Sequence, residues 1–474
     1  MFIALPLAAA FLVPLLGRVR PSMADWMANV TLAALVVFSF ATIGRTALYH
    51  IGGWDTPLGI DLRLDPLASL MLLAVNGVGL AAGLYSVEYM GRYTSKGQFY
   101  ALFLFLVAGM NGVVLTADLF NLYVMMEIAA VASYALVAFG CEHEELEASF
   151  RYVVLGTLAS SFILVGVALV YGVTGTLNMA HIASRISETG STPALLFALG
   201  LFLCGFSLKA ALAPFHAWLP DAHPAAPAPV SAMLSGVLIK AIGVYVLARL
   251  LYNVFGAGED ALAVLRWLGV LSMVTGGLLA SGQWDMKRLF AYSSIGQVGY
   301  IVLGLGLGTP LGVVGALYHL LNHALFKSLL FLNAGTVEYA TGTRNLKELG
   351  GLGRSMPVTG ITSLIASMSI AGIPPFNGFW SKLIIVIACV QAGFDGFAAV
   401  AVLMSIVTLA YQLKVHRYAF FGTHAAGAPT PLEEPALMAA VMTALAVGCA
   451  VLSLLVITGL ENPLLVGPAQ EALL

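Results

Sequence analysis

Gly372-Ile373-Pro374-Pro375-Phe376-Asn377-Gly378 interrupts an otherwise apolar run that extends from residue 357 to residue 392. As one helix at 1.5 Å per residue, that run would be about 54 Å long, too long for a single straight crossing of a bilayer. Two consecutive prolines remove backbone donors and clash with the preceding turn, so the spacing predicts a helix broken at this point. A second apolar run is interrupted in the same way, at Ala213-Pro214-Phe215-His216-Ala217-Trp218-Leu219-Pro220. The two breaks fall in the seventh and twelfth apolar runs, five apart. Broken helices at corresponding positions point to an internal repeat of inverted topology. Non-helical backbone at membrane depth is tolerated only where it is buried in protein or lines a wet cavity.

Working outward, about fourteen apolar runs fill the chain: near 2–17, 24–44, 66–87, 99–116, 118–139, 150–172, 194–213, 227–250, 261–281, 289–308, 311–333, 357–392, 397–420 and 434–458. Each approaches the roughly 20 residues a spanning helix needs. With 60% hydrophobic and 9% charged residues and mean hydropathy +0.95, the composition leaves no room for a separate soluble domain. The expected fold is an all-α membrane protein of about fourteen transmembrane helices with two inverted five-helix repeats, each with a broken helix. Residues 1–98 hold helices 1–3, 99–250 the first repeat (helices 4–8), 261–420 the second repeat (helices 9–13), and 434–474 the last helix with a short tail.

The N-terminal stretch Phe2–Leu16 has no basic residue before it, and Arg18 and Arg20 follow it, which fits a retained helix rather than a signal peptide. If the N-terminus is outside, the cytoplasmic connections carry ten Lys or Arg and the opposite ones five. That bias predicts a multi-pass protein of the cell (inner) membrane with both termini on the non-cytoplasmic side. A net charge of −2 without a basic tract excludes a nucleic-acid partner. Cys141, Cys204, Cys389 and Cys449 show no paired spacing, so they read as small buried apolar residues and not as iron–sulfur or zinc ligands. Gly59-Ile60-Asp61-Leu62-Arg63-Leu64-Asp65 alternates and predicts a short surface strand. The cluster Glu142, Glu144, Glu145 and Glu147 reads as a solvated loop or helix start. Gly304, Gly306 and Gly308 read as helix packing rather than a nucleotide loop.

Charge placement gives the chemistry. Of eight lysines, Lys209, Lys240, Lys327 and Lys382 lie inside apolar runs, and Glu127 sits near the centre of another. None of the thirteen arginines is read as placed that way. Each mid-membrane charge costs about 2.5–3.5 kcal/mol on the insertion scale, so five cost on the order of 12–17 kcal/mol. Lysine can release its proton when desolvated and arginine effectively cannot, so the choice favours groups that titrate. In Tyr318-His319-Leu320-Leu321-Asn322-His323-Ala324-Leu325-Phe326-Lys327, His319, His323 and Lys327 recur at i, i+4 and i+8 and line one helix face. Histidine passes a proton between its two nitrogens, so the ladder reads as a relay. A metal site is the rival, but it lacks the glutamate of H-E-x-x-H and an evident third ligand. A lysine meeting Glu127 would form an ion pair whose opening and closing works as a switch.

These stretches resemble the antiporter-like subunits shared by respiratory complex I, membrane-bound hydrogenases and Mrp-type cation/proton antiporters. The similarity runs over nearly the whole chain. It is most specific at Ser207–His223, along the His319–Lys327 helix and at Gly372–Lys382. It implies that Glu127 partners Lys209, that Lys240 and Lys327 are the central lysines of the two halves, and that Lys382 ends the charged axis. Thr116–Tyr123 and Gly172–Met179 look most like the D-type component of Mrp antiporters and its hydrogenase relatives, and Lys382 stands where the M-type component of complex I has a glutamate. The implied function is a proton-translocating subunit of a multisubunit Na+/H+ antiporter. The alternative is the pumping arm of a hydrogenase or NADH-quinone oxidoreductase. Its implied partners are sister membrane subunits, protons, Na+ and lipid. It would carry no cofactor of its own. Two further readings compete: a quinone-binding subunit, and a scaffold whose buried charges only lock helix packing.

Overall fold

Helices dominate the computed structural model, which describes residues 1–93, 95–422, 432–457 and 463–473. The chain opens with α1 (Ala4–Val19) and α2 (Pro21–Ala41), then a small hairpin of β1 (Ala47–His50) and β2 (Asp61–Leu64). Next come α3 (Pro66–Tyr89), α4 (Lys96–Leu115), α5 (Leu119–Val137), α6 (His143–Thr174), α7 (Met179–Thr189) and α8 (Pro193–Lys209). A short α9 (Leu219–Ala225) leads into α10 (Ala228–Val254), followed by α11 (Glu259–Gly282), α12 (Met286–Gly306) and α13 (Pro310–Thr341). The remainder is α14 (Pro357–Ala371), α15 (Asn377–Gln391), α16 (Asp395–Phe420), α17 (Ala436–Val456) and α18 (Pro463–Leu473). Among the described residues, ten helices are long and apolar enough to cross a membrane, and α1, α8, α14 and α15 are shorter apolar helices. The chain is a multi-pass membrane protein. Helix α13, 32 residues long and buried nearly throughout, falls short on hydropathy because its histidines, asparagines and lysine share it with the apolar residues.

Both expected breaks are present. Helix α14 ends on Gly372 in the left-handed region (φ 84°), where a β-carbon would be strained. A β-carbon on Gly378 would lie 1.8 Å from the Ser369 carbonyl oxygen, so glycine alone fits where α15 starts against the end of α14. At the other break α8 ends at Lys209. The turn that follows is held by protein groups: the Trp218 indole donates to the Leu208 carbonyl at 2.9 Å, and the Ala213 amide donates to Ser272 Oγ at 2.9 Å. Trp218 also stacks on Tyr152 at 4.2 Å.

Helix α10 contains wider π-helical turns at Leu234–Leu238, Lys240–Tyr245 and Arg249–Val254. Such turns often mark functional positions, and nothing in the apolar periodicity predicted them. Two further turns are built alike. Thr174-Gly175-Thr176-Leu177-Asn178 closes α6, and Thr341-Gly342-Thr343-Arg344-Asn345 closes α13. In each the glycine is left-handed (φ 69° and 73°) and the asparagine bridges an aspartate, Asp118 or Asp285. Those aspartates cap α5 and α12 by accepting from Asn121 N (2.7 Å) and Arg288 N (2.9 Å).

The expected strand is β2, paired antiparallel with β1 from Ala47↔Leu64 to His50↔Asp61. The acidic cluster is a helix start: Glu142 and Glu145 form a capping box for α6. Gly304 and Gly306 do pack closely, against Gly312 and against Arg266 of α11. Two expectations need correction. Arg249 and Arg266 are buried, near helix ends where each finds a carboxylate: Asp65 at 2.5 Å, and Glu259. Cys141 is exposed, because it occupies the turn between α5 and α6, and Cys204 is only half-buried. The tail after the last span is helical in its described part, α18. The last residue of that span, 458, lies with 459–462 and 474 outside the described residues.

Candidate functional site

Starting at one flank, Glu127 projects from α5 and accepts from Ser160 Oγ of α6 at 2.5 Å and from Lys209 Nζ of α8 at 3.4 Å. Its side chain is 29% exposed while that of Lys209 is 3% exposed, so the pair sits at the edge of the helix bundle with the lysine on the inner side. Lys209 is the last residue of its helix, directly before the first break. Helix α10 crosses this point closely: a β-carbon on Gly243 would lie 2.7 Å from Ala210 Cα. One turn back on α10 is Lys240, fully buried, whose ammonium donates to the Ser235 carbonyl within the widened helix. Widening frees carbonyls from the i→i−4 ladder and lets a buried ammonium find an acceptor on its own helix.

Helix α13 carries the next three groups, each with no solvent exposure. The Lys327 ammonium has no hydrogen-bond partner among the described residues and lies 5.7 Å and 5.9 Å from the centres of the Phe290 and Phe331 rings. Both ring nitrogens of His323 are likewise unpartnered among the described residues. His323 lies within the electrostatic reach of Lys240, Lys327 and Lys382. His319, 6.4 Å from His323 between ring centres, bonds Ser381 Oγ of α15 at 2.9 Å. The next residue, Lys382, donates to the Ile370 carbonyl at 2.8 Å, and its ammonium lies 4.5 Å from the centre of the Tyr300 ring. It therefore caps the orphan carbonyls at the C-terminus of α14, where the helix dipole favours a cation. Reciprocal 3.0 Å bonds between Asn322 and Asn377 fix α13 to this second break.

The seven residues singled out in the sequence lie on neighbouring helices, and among the described residues only Glu127 and Lys209 are hydrogen-bonded to each other. The structure adds groups that sequence reading missed. His223, on α9, is fully buried with both ring nitrogens unpartnered among the described residues; it stacks on Phe331 at 4.8 Å. Phe331 thereby neighbours both His223 and Lys327. Lys287, 2% exposed, pairs with Glu338 at 2.7 Å. Its signal in sequence was a lysine at the first turn of an apolar helix, which hydropathy alone assigns to a loop.

Two polar vestibules flank the bundle, one at each of the matched turns. A cavity of about 450 Å³ is lined by Glu147, Arg151, Asp221, Asp285, Arg288 and Arg344, among others. Burial opposes the charge of Arg344, but Asp285 at 2.5 Å and Glu338 at 3.3 Å outweigh it and hold the guanidinium above its ordinary range. The other cavity, about 750 Å³, is lined by Asp61, Asp65, Ala117, Asn178, His181 and Arg249, among others.

The sequence profile described as NADH:quinone oxidoreductase/Mrp antiporter, TM, matches residues 116–408, and that described as NADH-ubiquinone oxidoreductase (complex I), chain 5 N-terminus, matches residues 51–100. The N-type component of the NADH-quinone oxidoreductase of Desulforudis audaxviator is 39% identical over 96% of this chain and 95% of its own length. The D-type component of the Na(+)/H(+) antiporter of Alkalihalophilus pseudofirmus is 38% identical over 80% of this chain and 77% of its own length. A chain in the structure of the Mrp complex from Dietzia sp. DQ12-45-1b superposes with a TM-score of 0.91 at 30% identity, covering 100% of this chain and 96% of that one. On the extent of these matches, the chain belongs to the NADH:quinone oxidoreductase/Mrp antiporter transmembrane family.

Proposed function

We propose that this chain is a proton-translocating, antiporter-like subunit of a multisubunit membrane complex, acting as the D-type component of an Mrp-type Na+/H+ antiporter. Protons move along Glu127, Lys209, Lys240, His319, His323, Lys327 and Lys382, with water carrying them between groups that do not touch. The observation that supports this reading is the burial of so many titratable groups on neighbouring helices. Six of the seven are at most 4% exposed, and the file runs from the bundle edge at Glu127 to the helix end capped by Lys382. A packing role alone would favour charges neutralised by a partner. Lys327 and His323 have none among the described residues, so their polar atoms call for water. His223 and the Lys287–Glu338 pair extend the file toward the smaller vestibule.

The reading includes fourteen crossings in two inverted repeats, at 99–250 and 261–420. In this count α14 and α15 are halves of one crossing, α7 and α9 lie outside the bilayer, and α18 follows the last span. A constant offset of 167 residues supports the repeat. It carries Leu119 to Met286, His143 to Pro310 and Thr174 to Thr341, the ends of α5–α6 onto those of α12–α13. Five crossings separate Asp118 from Asp285, which puts the two matched turns and their vestibules on opposite faces. The Lys/Arg bias assigns the Asp285 face to the cytoplasm and both termini to the other side of the cell membrane.

A second reading is favoured by the 39% identity to an N-type component of an NADH-quinone oxidoreductase: the same relay serving as the pump arm of a redox-driven complex. Mass spectrometry of the complex extracted in mild detergent separates the two. Small hydrophobic sister subunits alone support the antiporter, and iron–sulfur or nickel–iron partners support the pump. The relay itself is tested by Lys240→Ala, which is expected to abolish proton transport in a complex that still assembles. Normal transport in the assembled variant would refute it.

A further inference from the structure

Where α11 and α16 end, on the same face as Asp285 and Arg344, three cations converge on two aromatic rings. The ammonium groups of Lys414 and Lys347 lie 4.0 Å and 4.7 Å from the centre of the Trp284 ring. Trp284 meets Tyr418 edge to face at 5.1 Å, and the Arg417 guanidinium lies 5.7 Å from the Tyr418 ring centre. Lys414 also donates to the Ser281 and Gln283 carbonyls at 3.1 Å and 2.7 Å, which fixes it in place. Among the described residues, none of Lys347, Lys414 and Arg417 has a carboxylate within ion-pair distance. Nearby Lys287, Arg288 and Arg344 each have one, in Glu338, Asp221 and Asp285. Like charges gathered around one indole ring repel, and an anion among them would relieve that repulsion.

The surroundings choose the anion. Tyr418 is exposed and Trp284 half-exposed, a pairing typical of the membrane–water boundary. Away from this corner toward the bilayer centre, both helices present exposed apolar side chains. These are Leu271 and Leu278 on α11, and Leu403, Ile406 and Leu413 on α16. A polar corner continuous with two apolar faces matches a headgroup with acyl chains, whereas an acidic protein segment would need no such faces.

We infer that Lys347, Lys414 and Arg417, on the Trp284–Tyr418 platform, bind the phosphate headgroup of an anionic phospholipid. The site is independent of the proton relay.

The test titrates the detergent-purified, delipidated complex with phosphatidylglycerol or phosphatidylcholine and reads bound lipid by native mass spectrometry. The parent is expected to prefer phosphatidylglycerol. The Lys347→Gln/Arg417→Gln variant removes two exposed charges and leaves the helix-capping Lys414 in place. At about fivefold per basic residue, its phosphatidylglycerol affinity should fall on the order of 25-fold with phosphatidylcholine binding unchanged. Arg18→Gln/Arg20→Gln removes two cations that also lack a carboxylate partner among the described residues but have no aromatic platform, and it should leave the preference intact. Equal binding of both lipids by the parent, an unchanged Lys347→Gln/Arg417→Gln variant, or an equal loss in the Arg18→Gln/Arg20→Gln variant overturns the site. So does a photocrosslinker at residue 347 that captures a polypeptide and no lipid in native membranes.

Discussion

Lys240 occupies a place where charge and proton transfer can be told apart. Its ammonium is fully buried and donates to Ser235 on its own helix, and among the described residues no carboxylate pairs with it. Arginine at this position keeps the positive charge but cannot release a proton at any working pH. Lys240→Arg is therefore expected to lose transport along with Lys240→Ala. Each loss should be at least about 100-fold, the scale of a positioned acid–base group, measured as pH-gradient formation in vesicles at matched complex levels. Retained activity in the arginine variant would mean that Lys240 acts as a fixed electrostatic centre. Glu127 makes a second case, because it meets Lys209 at 3.4 Å while 29% exposed. Glu127→Gln keeps the Ser160 bond and removes only the charge. The expected outcome is slowed transport in an assembled complex, and failure of the complex to assemble would favour the packing role instead. These residues were legible in the sequence because charge is rare and costly inside apolar runs. Beyond the Glu127–Lys209 pair, their neighbours were not. Ser160 looks like any other serine, His223 sits among the prolines and alanines that follow the first break, and Lys287 stands at the edge of a run. Each acquires meaning only when a neighbouring helix meets it.

Among the helices, legibility followed the strength of the local signal. Prolines and glycines announced both breaks, and the structure gives the physical reason for one of them with particular clarity. Because a β-carbon on Gly378 would lie only 1.8 Å from the Ser369 carbonyl oxygen, Gly378→Ala must push α15 away from α14. That displaces Lys382 from the Ile370 carbonyl it caps and Ser381 from His319. Overpacking of this kind costs about 1–3 kcal/mol, so the variant is expected to show both a lower thermal midpoint and reduced transport. Gly396→Ala, where nothing lies within 4 Å, is the matched control and should change neither. The π-helical turns of α10 were not legible. Its sequence is uniformly apolar around Lys240, and the widening arises from how neighbouring helices pack against it. The matched Thr-Gly-Thr-x-Asn turns at 174–178 and 341–345 are a different case. They stand in the sequence as an internal repeat, but five turn residues built on threonine, glycine and asparagine carry no apolar signal, and their meaning emerges only from the aspartates they bridge.

Across the whole molecule, the proposed transport rests on two vestibules on opposite faces, joined through one buried file of titratable groups and the water between them. Each vestibule is built at one of the Asp–Asn bridges, and each is lined with charge: Asp61, Asp65 and Arg249 in one, Asp221, Asp285, Arg288 and Arg344 in the other. Hydropathy located the spans, but not the vestibules, whose walls come from loops far apart in sequence. The opposite-face reading has a direct consequence that uses a residue already in place. Cys141 is exposed in the turn between α5 and α6, on the side of the smaller vestibule, while His181 is exposed in α7 and lines the larger one. In sealed vesicles of known orientation, a membrane-impermeant thiol reagent should label native Cys141 from one side only. In a Cys141→Ser background, His181→Cys should be labelled only from the other. Labelling of both from the same side would place the two vestibules on one face. The matched turns would then not be inverted copies, and a file between them would have no membrane to carry protons across.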